Sequence, residues 1–179
     1  MSQEQIIKII LLGSSDVGKA DILHHNFDIS IQNSMPTIGI DFQTKFFKFD
    51  DSKIKVNFID TLGQEKFRGV SINYLKGKDG VMLVYDVSKR DTFELIEKFI
   101  DDIKINSKKN IGKILIGNKV DLESDREVSK EEGEKLAESF QCKYYEICSQ
   151  TGLNVKEAID EIARITYLEW KKIQKKVIL

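Results

Sequence analysis

The apolar run Ile6, Ile7, Ile9, Ile10, Leu11 and Leu12 leads straight into Gly13-Ser14-Ser15-Asp16-Val17-Gly18-Lys19-Ala20, and no other junction constrains the fold as much. The six apolar residues read as a buried strand, and Gly18 to Phe27 can form the helix after it. The loop between follows a phosphate-binding P-loop pattern until its last position. In that pattern glycines let successive backbone N–H groups turn inward around phosphates, the lysine adds a point charge, and a final Ser/Thr hydroxyl holds Mg²⁺. Ala20 has no hydroxyl, so the cradle and lysine are present and one metal ligand is missing. Taken alone, the segment reads equally as an ordinary glycine-containing β-to-α turn.

At 179 residues the chain is long enough for one full core and too short for two comfortable domains. Charged residues make up 32% and balance to a net −1, which argues against nucleic acid as a main partner. Lys171, Lys172, Lys175 and Lys176 read as a solvated helix face. Cys142 and Cys148 are the only cysteines, too few for a disulfide framework or a four-cysteine zinc site, so a reducing compartment is expected. Met1 to Gln5 lacks the basic and apolar regions of a secretory signal, and no apolar run has the length of a membrane span.

Pro36 is the only proline, and neither a Gly/Ser-rich linker nor an internal repeat divides the chain. Asp28 to Pro36 is polar and long for a simple connection, which suggests a functional loop. Ile40, Phe42, Phe46, Phe47 and Phe49, then Ile54, Val56 and Phe58, are strand-like runs joined by Asp50-Asp51-Ser52, the pattern of a hairpin. Gly80 to Val87 and Ile111 to Gly117 are continuously apolar, as strands covered on both faces are. Asp91 is placed to cap a helix from Thr92 to about Ile105, with Glu94 completing a capping box and Ile96, Phe99, Ile100 and Ile103 inward. Val155, Ile159, Ile162 and Ile165 give a last helix its buried stripe. Alternating strands and helices imply a mainly parallel sheet with ligands at the carboxyl ends of its strands.

Two further segments fall at such strand ends. Asp60-Thr61-Leu62-Gly63-Gln64 puts a carboxylate beside the P-loop for Mg²⁺, a glycine N–H for a terminal phosphate and a glutamine that can orient water. Asn118-Lys119-Val120-Asp121 is the most specific signal. A carboxylate accepts both the ring N–H and the exocyclic amine of guanine, and adenine lacks that donor pair, so Asp121 reads guanine.

These segments, with Pro36-Thr37-Ile38-Gly39-Ile40-Asp41-Phe42 and Cys148-Ser149-Gln150, resemble in order the five motifs of a Ras-superfamily small GTPase. Ile38 to Phe42, Lys66-Phe67-Arg68, Tyr74 and Val84-Tyr85-Asp86-Val87 are most similar to the Rab branch, and the resemblance runs from about Ile6 to Tyr167. It implies a single G domain over residues 1–179, an α/β three-layer P-loop fold with a six-stranded mostly parallel sheet and five helices. It implies GTP or GDP held by Ser14, Ser15, Asp16, Val17, Gly18, Lys19, Ala20, Asp21 and Gly63 on the phosphate side. Asn118, Lys119, Asp121, Cys148, Ser149 and Gln150 would hold the base, Thr37 and Asp60 the Mg²⁺, and Gln64, Lys19 and Thr37 would act in catalysis. Residues 28–41 and 60–76 would be the two switches, contacting an exchange factor, a GTPase-activating protein and effectors. The implied role is vesicle-trafficking regulation from the cytoplasm, with peripheral attachment to cytosolic membrane faces only through a prenylated tail, for which Lys175 to Leu179 offers no cysteine.

Departures from the family pattern gather on the phosphate and metal side. Ala20 removes the metal hydroxyl, Asp16 stands where a small uncharged residue is usual, and Leu62 replaces an alanine near the γ-phosphate and can crowd Gln64. Mg²⁺ demands near-octahedral geometry, so water must replace the lost ligand. Ser149 and Gln150 replace alanine and lysine, with little loss expected because recognition there is largely by backbone N–H. Neither Ile31 nor Phe27 sits squarely where an aromatic ring stacks on guanine, and Ile59 replaces a tryptophan in the triad with Phe42 and Tyr74 that effectors read. His24 and His25 are expected to be solvated or packing residues, Cys148 a small buried filler and Trp170 a packing residue. The expected function is a guanine-nucleotide switch with slow GTP hydrolysis. The alternatives are a nucleotide-holding scaffold without useful turnover and a P-loop nucleoside kinase, the latter opposed by Asn118 to Asp121 and the lack of a lid region.

Overall fold

The computed structural model describes residues 5–26, 41–61 and 74–177. In chain order they form β1 (Ile6–Leu12), α1 (Lys19–Asn26), β2 (Asp41–Phe49), β3 (Ser52–Asp60), β4 (Gly80–Asp86), α2 (Arg90–Asn106), β5 (Gly112–Asn118), α3 (Lys130–Ser139), β6 (Lys143–Glu146) and α4 (Val155–Val177), with a 3₁₀ turn at Glu123–Asp125. The six strands make one sheet in the order β2-β3-β1-β4-β5-β6. Only β2 and β3 run antiparallel, and the other pairs are parallel. Four α-helices lie among the described residues, against the five that the sequence suggests.

Hydrophobic continuity decides which strands lie inside. All seven residues of β4 are buried, as a strand covered on both faces requires. In β3, Ile54, Val56 and Phe58 alternate with half-buried residues, so that strand buries one face. Those three residues pack with Ile22 and Leu23 of α1 and Val155, Ala158, Ile159 and Ile162 of α4 on one side of the sheet. On the other, Val81, Leu83 and Leu115 pack with Ile96, Phe99, Ile100 and Ile103 of α2 and Ala137 of α3. Helix, sheet and helix therefore form three layers. Trp170 is a packing residue, partly buried against the first core and stacked on Tyr167 with ring centroids 6.2 Å apart.

The hairpin forms as the pattern suggests, with Phe49 paired to Ser52 across Asp50-Asp51. Asp50 takes the left-handed conformation at φ 52°, which a short polar side chain tolerates. The cap of α2 differs from expectation. The helix starts at Arg90, so Asp91 lies inside its first turn, and the preceding Lys89 gives no side-chain cap. Buried Thr92 joins the helix start to the end of β4 instead: its Oγ1 accepts from the Asp86 N–H (3.0 Å) and donates to the Lys89 carbonyl (2.7 Å). The reciprocal capping box belongs to α3, where Ser129 accepts from Glu132 N–H and Glu132 accepts from Ser129 N–H.

Candidate functional site

The loop from Gly13 to Gly18 turns at the carboxyl end of β1, between the ends of β3 and β4. Gly13 is required by close approach: a Cβ there would lie 2.1 Å from the Val84 carbonyl oxygen. Gly18 is required twice, by its φ of +91° and because a Cβ would meet the Asn118 amide nitrogen at 2.4 Å. Asp16 also has positive φ, at 65°, and its exposed side chain lets solvent screen its charge. Lys19, 5% exposed, donates from Nζ to the carbonyls of Gly13 (2.6 Å) and Ser14 (2.8 Å), which holds its ammonium inside the loop. Ala20 and Asp21 open α1. Asp60, buried at the end of β3, lies one strand away, and the neighbouring Thr61 Oγ1 donates to Leu11 O at 3.3 Å.

The base side is more tightly knit than its sequence suggests. Asn118 ends β5 fully buried, and its Nδ2 donates to Val17 O (2.7 Å) and Ser149 Oγ (2.9 Å). Its Oδ1 accepts from the Ser149 N–H at 2.9 Å. One carboxamide thus ties three loops together. Lys119, at φ 68°, reaches back from the same strand end to Asp16 O (2.6 Å) and pairs with Asp86 Oδ2 (2.8 Å) at the end of β4. Burial pushes the Asp86 carboxyl up, but the Lys119 ammonium and two Ser88 hydrogen bonds outweigh it and hold the group below the usual carboxylate range. Asp121 is exposed, and its Oδ1 accepts from the buried Cys148 thiol at 3.1 Å.

Beside these loops lies a cavity of about 370 Å³ lined by Asp21, His24, His25, Ser149 and Gln150, within the size range of small-molecule sites. His25 Nε2 donates to the Gln150 carbonyl at 2.6 Å, and the ring packs against Gly152.

The structure brings together Ser14, Ser15, Asp16, Val17, Gly18, Lys19, Ala20, Asp21, Asp60, Asn118, Lys119, Asp121, Cys148, Ser149 and Gln150 at one end of the sheet. Thr37, Leu62, Gly63 and Gln64, with Phe27 and Ile31, lie outside the described residues. His25 is exposed and packs against Gly152 as expected, whereas the sequence pattern gives no role to Asp86 or to the Ser149 hydroxyl. The available signal for Asp86 was a carboxylate closing a fully apolar strand; for contacts spanning 125 residues, as between His25 and Gln150, no local pattern exists.

A family model for the Ras family matches residues 8–167. The chain belongs to the Ras family. It is similar to the Ras-related protein RABC2b of Arabidopsis thaliana, 42% identical over 158 residues that cover 87% of this chain and 77% of the relative. The GTP-binding protein ypt2 of Schizosaccharomyces pombe is 38% identical over 164 residues, 91% of this chain and 82% of that protein. The Ras-related protein Rab-8B of Bos taurus is 36% identical over 162 residues, covering 90% and 78%. This Ras-family chain is thus Rab-like, and its P-loop fold carries the six-stranded, mostly parallel sheet expected of a small GTPase. Among the described residues no helix is long and apolar enough to cross a membrane.

Proposed function

We propose that residues 1–179 form one G domain that binds guanine nucleotides, hydrolyses GTP slowly and regulates vesicle trafficking. The observation that carries the reading is Asp121, held by the Cys148 thiol in the loop that follows β5, where Asn118 ends the strand and Lys119 begins the loop. A carboxylate offers about four lone-pair sites, so one thiol contact leaves room for both guanine donors while restricting its rotation. A loop opening onto the start of α1 with the Lys19 ammonium turned into it suits the negative charge of a di- or triphosphate, and Gly13 and Gly18 let it pack against the Val84 carbonyl and the Asn118 amide. For Mg²⁺ the described residues offer the Asp60 carboxylate, and Ala20 offers nothing. When bound, the metal would neutralise charge on the phosphates.

Switch contacts with an exchange factor, a GTPase-activating protein and effectors would run through residues 28–41 and 60–76, and membrane attachment through a tail. The Rab names of two relatives support the trafficking role. A second reading, a nucleotide-holding scaffold, is favoured by Ala20.

Nucleotide choice tests the first reading directly. Asp121→Ala should weaken GDP binding at least about tenfold, or ~1.4 kcal/mol, in displacement of a fluorescent guanine nucleotide. Equal affinities of the unmodified chain for ATP and GTP would reject guanine recognition.

A further inference from the structure

We propose that His25 is a positioning residue for the bound nucleotide: it ties α1 to the loop 148–152 on the base side and thereby slows nucleotide release, a role that rests on the guanine-nucleotide reading and adds to it. The loop 148–152 closes on itself. The Gly152 N–H donates to the Cys148 carbonyl at 2.9 Å, and the Cys148 N–H to the Leu153 carbonyl at 3.1 Å. These bonds set the shape of the turn, while contacts from outside set its place on the molecule. From the β5 side Asn118 holds Ser149, and Asp121 accepts from the Cys148 thiol. From the α1 side His25 meets the Gln150 carbonyl at 2.6 Å. A carbonyl only accepts, so the ring donates from Nε2.

The tie has a firm base and a fitted seat. Ile22 and Leu23, within one turn before His25, are buried in the core, and Lys19, six residues before it, reaches into the glycine loop. That places the two functional side chains about 9 Å apart along one helix. At the other end Gly152 has a φ of +83°, and the three atoms nearest to a Cβ there would all belong to the His25 ring, the first at 3.3 Å. The turn thus meets the ring through bare backbone.

Exposure of His25 limits what the bond adds to global stability, because water competes for both partners. Its consequence is local. His25 lines, with Asp21, His24, Ser149 and Gln150, the cavity between α1 and the base loop. A nucleotide that spans from the Lys19 loop to the base loop leaves when these separate, and the His25 bond must break for them to do so. Association is set by encounter and changes little, so the effect falls on dissociation.

Three variants separate the bond from the ring. His25→Ala removes both, His25→Phe keeps a ring against Gly152 without a donor, and His25→Gln keeps an N–H that can reach the Gln150 carbonyl without the ring. Stopped-flow release of a fluorescent GDP should be roughly fivefold faster from the Ala and Phe variants, the worth of one hydrogen bond, and within about twofold of the unmodified rate for Gln. Association rates, far-UV circular dichroism and urea midpoints should be unchanged. Slow release retained by His25→Phe, release from His25→Gln as fast as from His25→Ala, or an unchanged rate for His25→Ala would each overturn the assignment. So would a fall in urea midpoint that tracks the faster release, since His25 would then only support the fold. Failure of the unmodified chain to bind GDP would reject the guanine reading and the tie together, whereas the other outcomes leave guanine binding intact and strike the tie alone.

Discussion

The hydroxyl of Ser149 accepts one N–H of Asn118 while the Ser149 backbone donates to the oxygen of the same carboxamide, at 2.9 Å each. The remaining N–H of Asn118 goes to Val17, so the amide has no freedom to flip. Ser149→Ala leaves a fully buried N–H without its acceptor, a cost of ~1–3 kcal/mol. Because Asn118 joins the P-loop to the base loop, we expect GDP to dissociate roughly tenfold faster from this variant, with Ser149→Thr restoring most of the difference. Stopped-flow release of a fluorescent GDP is the measurement, and an unchanged rate for Ser149→Ala would show that the hydroxyl positions nothing. The sequence places Ser149 in the base loop but credits only its backbone. Side chains 31 residues apart meet through sheet order, which the motif does not encode. The pairing of Lys119 with Asp86 is hidden for the same reason.

Helices and strands were legible where their patterns were long. Continuous apolar runs marked β4 and β5 to within a residue at each end, and the stripe of α4 was visible although Ala158, Ala163 and Tyr167 widen it. β6 is only Lys143–Glu146, with no fully buried residue, and too short for alternation to show. α3 carries its signal in Ser129 and Glu132, a spacing of capping-box type. For α2, Asp91 suggested the cap, but Thr92 is buried against the end of β4, and burial decides which hydroxyl or carboxylate is structural. Thr92→Val removes the hydroxyl that accepts from the buried Asp86 N–H and donates to the Lys89 carbonyl, and should cost ~1–3 kcal/mol. Asp91→Ala removes an exposed carboxylate that accepts the Thr92 N–H at 2.9 Å and should cost less, ~0.5–1 kcal/mol. Urea unfolding compares them, and a larger loss for Asp91→Ala would restore the carboxylate as the cap.

On the scale of the whole molecule, the sheet gathers the base loops, Lys19 and Asp60 at one end, and the two halves of that end differ. Among the described residues the base half is closed by Asn118, Lys119, Ser149 and Cys148. The phosphate half carries Ala20, and in the sequence Leu62 stands two positions before Gln64, both outside the described residues. We expect hydrolysis to be slow for these two separable reasons. In phosphoryl transfer the metal and lysine stabilise developing charge, while the glutamine positions water, so the two departures touch different parts of one transition state. The intrinsic rate of a Ras protein without a partner's arginine is on the order of 10⁻⁴ s⁻¹, and this chain should lie at or below it. Ala20→Ser and Leu62→Ala should each raise the single-turnover rate, and their effects should interact because both act on one barrier. Gln64→Leu sets the floor. If the unmodified chain hydrolyses GTP no faster than Gln64→Leu and neither repair raises the rate, the glutamine is not catalytic here and the molecule holds nucleotide as a scaffold.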